Sequence, residues 1–170
     1  MSARPGKGGG PAPADLAREL ELIRAAREVE ALKHSYTAAL DSGYDLDAIS
    51  ALFTSDARWV AEGFGDYRGR EEICDFFARL SESIVHVRHF ATSPLIEIAD
   101  DAMTARGQWN LLCLCSRRHR DNPEVEVPLV EVGTYRDKLA KVDGRWYFTE
   151  LSVEVLFSRQ VAEPTRTSLP

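Results

Sequence analysis

Apolar residues between Leu16 and Leu40 recur at helical spacing. Leu16, Leu20, Ile23, Val29, Leu32, Tyr36 and Leu40 fall three, four and once six residues apart, which predicts one long helix with a single buried stripe. Asp15 is placed to start it and Gly43 to end it. A helix of this length need not be straight, and a break between Ala25 and Glu28 would fit. A second, short helix follows, with Asp45 or Asp47 as its cap and Ile49, Leu52 and Phe53 turned inward.

The period then changes. Arg58 to Ala61 reads as a short strand, and Gly63, Gly65 and Asp66 as a turn. A third helix from Arg70 to about Ser83 buries Ile73, Phe76, Phe77 and Leu80. Beyond it the pattern alternates. Strands are predicted over His86 to Pro94 with a continuation to Ile98, over Met103 to Ser116, over Pro128 to Val142 and over Arg145 to Phe157. Asp143-Gly144 is a strong hairpin turn signal between the last two. Helices followed by a meander of long strands define an α+β protein. A strongly curved sheet wrapped around the N-terminal helices, an open cone, buries all of these faces economically.

Composition narrows the range. At 170 residues, 44% apolar and 28% charged, the chain suits one globular domain, placed at 14–160. A Gly/Pro-rich tail (1–13) is expected to be disordered, and a polar tail (161–170) to fray. A net charge of -6 argues against nucleic acid as a partner. The basic cluster Arg117-Arg118-His119-Arg120 leads into Asp121-Asn122-Pro123 and reads as a solvated loop tip. Neither a membrane span nor a secretory signal is visible, so a reducing, cytoplasmic setting is expected. Cys113 and Cys115 alternate within an apolar run and read as small core residues, and Cys74 is left over. No spacing suggests a metal site: His86 and His89 would point to opposite faces of a strand. The triplet Gly8-Gly9-Gly10 follows no strand and forms no phosphate loop.

Four stretches carry a likeness to a known family: YTAALDSGYDLDAISALFTSDARW, YRGREEICDFF, VRHFATSPLIEIADDAMTARGQW and GTYRDKLAKVDGRWYF. Through them the chain resembles the SnoaL-like branch of the nuclear transport factor 2-like superfamily, which includes scytalone dehydratase, bile-acid dehydratases and polyketide cyclases. That resemblance implies the cone fold. It also implies that Tyr36, Asp41 and His89 meet inside the cone as a catalytic set and that no cofactor is needed.

In this reading His89 takes or gives a proton, which suits an imidazole with an unperturbed pKa near 6.5. Asp41 holds and balances the ring. Tyr36 donates to a carbonyl or enolate oxygen of the substrate. Trp59 is expected to wall the pocket. The scytalone dehydratase pattern has a second histidine on a later strand, and this chain has none after Val127; Asn110 or Glu131 is expected to stand in for it.

The activity implied is a dehydratase, cyclase or isomerase acting on a small, mostly apolar carbonyl compound such as a polyketide-type metabolite. A non-catalytic binding or dimerising domain is the other class the fold hosts, and the small subunit of a ring-hydroxylating dioxygenase a third. Leu111 to Cys115 is apolar on both faces, which predicts a sheet covered on its outer side, as in a homodimer or larger homo-oligomer.

Overall fold

The computed structural model describes residues 12–161. Most of both expected tails lies outside that range. At their inner limits the chain is ordered: Pro13 is the first residue of a helix, where its missing N–H loses no bond, and Val161 N–H donates to the Pro128 carbonyl at 2.9 Å.

Helix α1 runs unbroken from Pro13 to Asp41, with no interruption between Ala25 and Glu28. The Asp15 carboxylate accepts the Ala12 N–H at 3.2 Å, and the chain leaves the helix through Gly43 at φ 92°, a conformation that favours glycine. The buried stripe begins later than the pattern predicts. Ala25, Val29, Lys33, Tyr36, Ala39 and Leu40 are inside, whereas Leu16, Leu20 and Ile23 are 51%, 47% and 58% exposed. Packing starts at Ala25, and one turn on the Glu28 carboxylate receives Lys141 Nζ at 2.9 Å and Trp146 Nε1 at 3.1 Å. Helix α2 (Leu46–Ser50) is capped by Asp45, which accepts the Ala48 N–H at 3.0 Å.

Strand β1 (Phe53–Ala61) is longer than expected. It pairs at Phe53 with Phe148, slips register, and resumes at Arg58 opposite Glu150. The polar Thr54-Ser55-Asp56 that spans the slip hides its first half from an apolar-run reading. The expected turn at Gly65 and Asp66 is instead a short strand, β2 (Gly65–Arg68), paired antiparallel with β1. Helix α3 (Arg70–Ser81) buries Ile73, Phe76 and Phe77. Four long strands follow: β3 (Ile84–Ile98), β4 (Thr104–Arg118), β5 (Glu126–Val142) and β6 (Arg145–Gln160). Asp143 and Gly144, at φ 49° and 79°, make the expected hairpin turn.

All six strands form one sheet in the order β2-β1-β6-β5-β4-β3, in which β1 and β6 run parallel and the other pairs antiparallel. Bulges shape it. At Gly133 a register shift brings β6 so close that a Cβ would lie 2.2 Å from the Glu154 carbonyl oxygen, so only glycine fits. The helices pack onto the inner face through an aromatic cluster of Tyr36, Phe53, Trp59, Phe76, Phe77 and Phe148. This is the α+β cone the sequence implies. On the outer face Phe90, Leu112 and Leu114 remain 45%, 39% and 43% exposed, so nothing among the described residues covers it. No helix among the described residues is long and apolar enough to cross a membrane.

Candidate active site

Strand register sets the site. One row crosses the inner face of the sheet: His89 on β3 opposes Cys113 on β4, Cys113 opposes Glu131 on β5, and Glu131 opposes Ser158 on β6. Such neighbours stand about 5 Å apart at Cβ. Ser158 Oγ donates to Glu131 Oε1 at 3.2 Å, which places both on the same face.

Asp41, the last residue of α1, meets this row at its β3 end. Its Oδ1 is 2.8 Å from His89 Nδ1, and the His89 backbone N–H donates to Oδ1 and Oδ2 at 3.0 and 3.2 Å. An anion at a helix C-terminus is opposed by the helix dipole; these donors offset that cost. They also satisfy an N–H on an edge strand that has no partner strand on that side. An ionised carboxylate only accepts, so the nitrogen facing it, Nδ1, bears a proton, and in the neutral ring the free lone pair is then on Nε2. The pair is sheltered, with side chains 10% and 18% exposed.

Tyr36, one turn and a half before Asp41, is 1% exposed and accepts the Trp59 Nε1–H at 3.1 Å. With its oxygen's lone pair engaged, its own O–H is free to donate. Burial pushes the phenol well above its ordinary pKa, which keeps that proton in place. Tyr36, Trp59, His89 and Glu131 line one narrow internal cavity of about 60 Å³, with Tyr44, Phe64, Cys113, Cys115 and Arg117. A wider groove of about 740 Å³ adjoins it, and Tyr44, Val87 and Cys115 form the wall the two share.

The six expected site residues therefore divide. Tyr36, His89, Trp59 and Glu131 face the cavity, and Asp41 holds His89 from behind. Asn110 does not: it is exposed on the outer face, because alternation along β4 sends Trp109 and Leu111 inward and Asn110 out. Of the two residues expected to stand in for a second histidine, only Glu131 lies on the inner face. It is 7% exposed, and Arg117 Nη2 donates to its Oε1 at 3.1 Å. Arg117 thus belongs to the last inward position of β4 and not to the solvated loop tip; its guanidinium also lies 5.4 Å from the Phe64 ring centre.

A second polar feature lies deeper. Lys33 and Asp137 form an ion pair at 2.9 Å with both side chains fully buried, and Lys33 Nζ sits 3.2 Å from the centre of the Tyr135 ring and 5.1 Å from that of Tyr36. Burial outweighs the pairing for each group: the Lys33 pKa falls to about 8 and that of Asp137 rises to about 6. The signal was local. Lys33 interrupts the stripe between Val29 and Tyr36, and Asp137 sits at the inward phase between Tyr135 and Leu139. Cys113, Cys115 and Glu131 form a further buried cluster, their ligand atoms all within 4.8 Å of one another. No spacing motif announces it, because the third member comes from the neighbouring strand. Each thiol perturbs the other, holding Cys113 above and Cys115 below the ordinary thiol range.

The chain belongs to the SnoaL-like domain family, whose model matches residues 21–152. No curated protein sequence matches it. Among solved structures it is similar to a hexachlorocyclohexane dehydrochlorinase, LinA type 2, with a TM-score of 0.76 and 20% identity over 87% of this chain and 99% of that one. The LinA type 3 enzyme of Novosphingobium barchaimii has a TM-score of 0.74 and 20% identity over 85% of this chain and 94% of that one. A protein of Novosphingobium aromaticivorans described as a candidate scytalone dehydratase has a TM-score of 0.70 and 17% identity, covering 88% and 93%. At such identities the likeness is one of fold.

Proposed function

We propose that this protein is an acid–base lyase that removes a proton and a leaving group from adjacent carbons of a small, mostly apolar molecule. The observation that carries this reading is the Asp41–His89 pair beside a cavity that Tyr36 also lines. His89 Nε2 takes the carbon-bound proton, and the C–H electron pair becomes the new double bond. The leaving group departs from the neighbouring carbon, as water once the His89 imidazolium has returned that proton to a hydroxyl, or as halide directly. Asp41 balances the imidazolium. Where the substrate carries a carbonyl, the Tyr36 O–H steadies the enolate oxygen. Dehydration suits the sequence resemblance; loss of halide is the reaction named for the LinA structures, and it needs the same base. Ring closure of a polyketide-type substrate would use the same proton transfer.

The cavity's narrowness supports a second reading, a domain that binds or assembles without chemistry. One experiment separates the two. The purified protein is incubated with small cyclic β-hydroxy ketones and chlorinated alicyclic compounds, and alkene formation is followed with release of water or chloride. Elimination of at least one class by the wild type, lost in His89→Ala, is expected. Tight binding with no elimination across both classes would favour the second reading.

A further inference from the structure

We infer that Cys113, Cys115 and Glu131 form a three-ligand site for a thiophilic divalent cation of the zinc and cadmium class. Three observations point there. Cys113 and Cys115 stand two apart on β4, so both thiols project to the same inner face, and Glu131 faces Cys113 across the strand pair. The three donors already lie within 4.8 Å of one another. In a tetrahedral zinc site with Zn–S near 2.3 Å, ligands stand about 3.8 Å apart, so small side-chain rotations close the gap. All three residues are buried, at 3%, 7% and 7% exposure, where an ion has little water to compete with.

Charge selects a divalent ion. Two thiolates and a carboxylate carry three negative charges, and Arg117 on Glu131 Oε1 already supplies one positive charge. A divalent cation completes the balance. Both side-chain hydrogen bonds to Glu131 fall on Oε1, which leaves Oε2 for the ion. Two sulfurs and one oxygen favour a soft or borderline metal over magnesium or calcium.

Geometry disfavours the other use of a cysteine pair. Two residues apart on an extended strand, the Cα atoms are about 6.6–6.8 Å apart, at the outer limit for a disulfide. Three protein ligands leave one coordination position open. The ion would stand one strand from His89, so metal and substrate compete for the cavity. That consequence rests on the lyase reading; the binding does not.

The test is calorimetric titration of the reduced full-length protein with zinc, and with cadmium followed by its thiolate charge-transfer absorption. One equivalent of zinc should bind with release of thiol protons. Cys113→Ser and Cys115→Ser should each weaken it by more than the roughly 10–100-fold that follows loss of a supporting residue around a metal, and Glu131→Gln by less than either. Cys74→Ser, outside the cluster, should bind as wild type does, and this control stands even where the serine variants at the buried positions fail to fold. Less than one equivalent of zinc, unchanged affinity in Cys113→Ser, or a cadmium–thiolate band that disappears in Cys74→Ser would overturn the site.

Discussion

Asp41 Oδ1 lies 2.8 Å from His89 Nδ1 and 3.0 Å from the His89 backbone N–H, so one carboxylate fixes both the ring and the edge strand that carries it. The relationship gives His89 a defined tautomer before any substrate arrives. It also ties the end of α1 to β3, an attachment that Arg88 Nη1 reinforces by donating to the Asp41 carbonyl at 2.9 Å.

Asp41→Asn should keep the fold and lose the chemistry. The amide can still accept one hydrogen bond, but it neither enforces the Nδ1–H tautomer nor balances an imidazolium. A fall of about 10²-fold or more in kcat is expected, up to the roughly 10⁴-fold known for the same change in a serine-protease triad. Initial rates beside a circular dichroism spectrum check it. Wild-type kcat in the folded variant would remove Asp41 from the mechanism.

Tyr36→Phe separates packing from catalysis. It strands the Trp59 indole N–H, buried and without its 3.1 Å partner, which should lower stability by about 1–3 kcal/mol in urea denaturation. If the hydroxyl steadies a developing oxyanion, kcat should also fall about 10²–10³-fold. Lower stability with unchanged kcat would leave Tyr36 a structural residue.

The buried Lys33–Asp137 pair should shape the stability–pH profile. The folded-state pKa of Asp137, about 6, is above its unfolded value, so the folded chain holds the extra proton and stability falls as pH rises from about 4 to 6. The folded-state pKa of Lys33, about 8, is below its unfolded value, so the unfolded chain holds the extra proton and stability rises from about pH 8 to 10. The wild type minus the double variant Lys33→Met/Asp137→Leu should therefore show a trough between pH 6 and 8 in denaturant melts. Lys33→Met alone should cost about 3–5 kcal/mol near pH 7, since it leaves Asp137 unpaired. A flat difference curve would show that the pair stays ionised throughout.

We propose that a second copy of the chain covers the outer sheet face. Phe90, Leu112, Val132 and Phe157 stand in one cross-strand row there, and Phe90, Leu112 and Phe157 are 45%, 39% and 47% exposed. Sedimentation should show a dimer or larger assembly that Leu112→Glu shifts toward the monomer. A monomeric wild type would contradict this.

Much of the fold was legible because it is written in local periods. The alternation of β4 and β5, the Asp143-Gly144 turn and the stripe of α3 are each visible in one short window. Other features are not local. The first turns of α1 carry apolar residues at the right spacing yet overhang the sheet, and the pattern cannot say where the sheet ends. Half of β1 is polar where its register slips. In the site, Asp41 and His89 are 48 residues apart, and the family resemblance, not their spacing, brought them together. Lys33 and Asp137 are 104 residues apart, and a charged residue in an apolar stripe is ordinarily assigned to the surface. Asn110 was a matter of phase: one residue along a strand reverses the face.

The most direct measurement asks whether His89 takes a proton from carbon. A ligand with an acidic C–H beside a carbonyl, and with no leaving group, is incubated with the protein in D₂O, and loss of its proton signal is followed by NMR. The wild type should exchange that proton, and folded His89→Ala should do so about 10²–10⁴-fold more slowly while still binding the ligand. Equal exchange rates for the two proteins would contradict the assignment of His89 as the base.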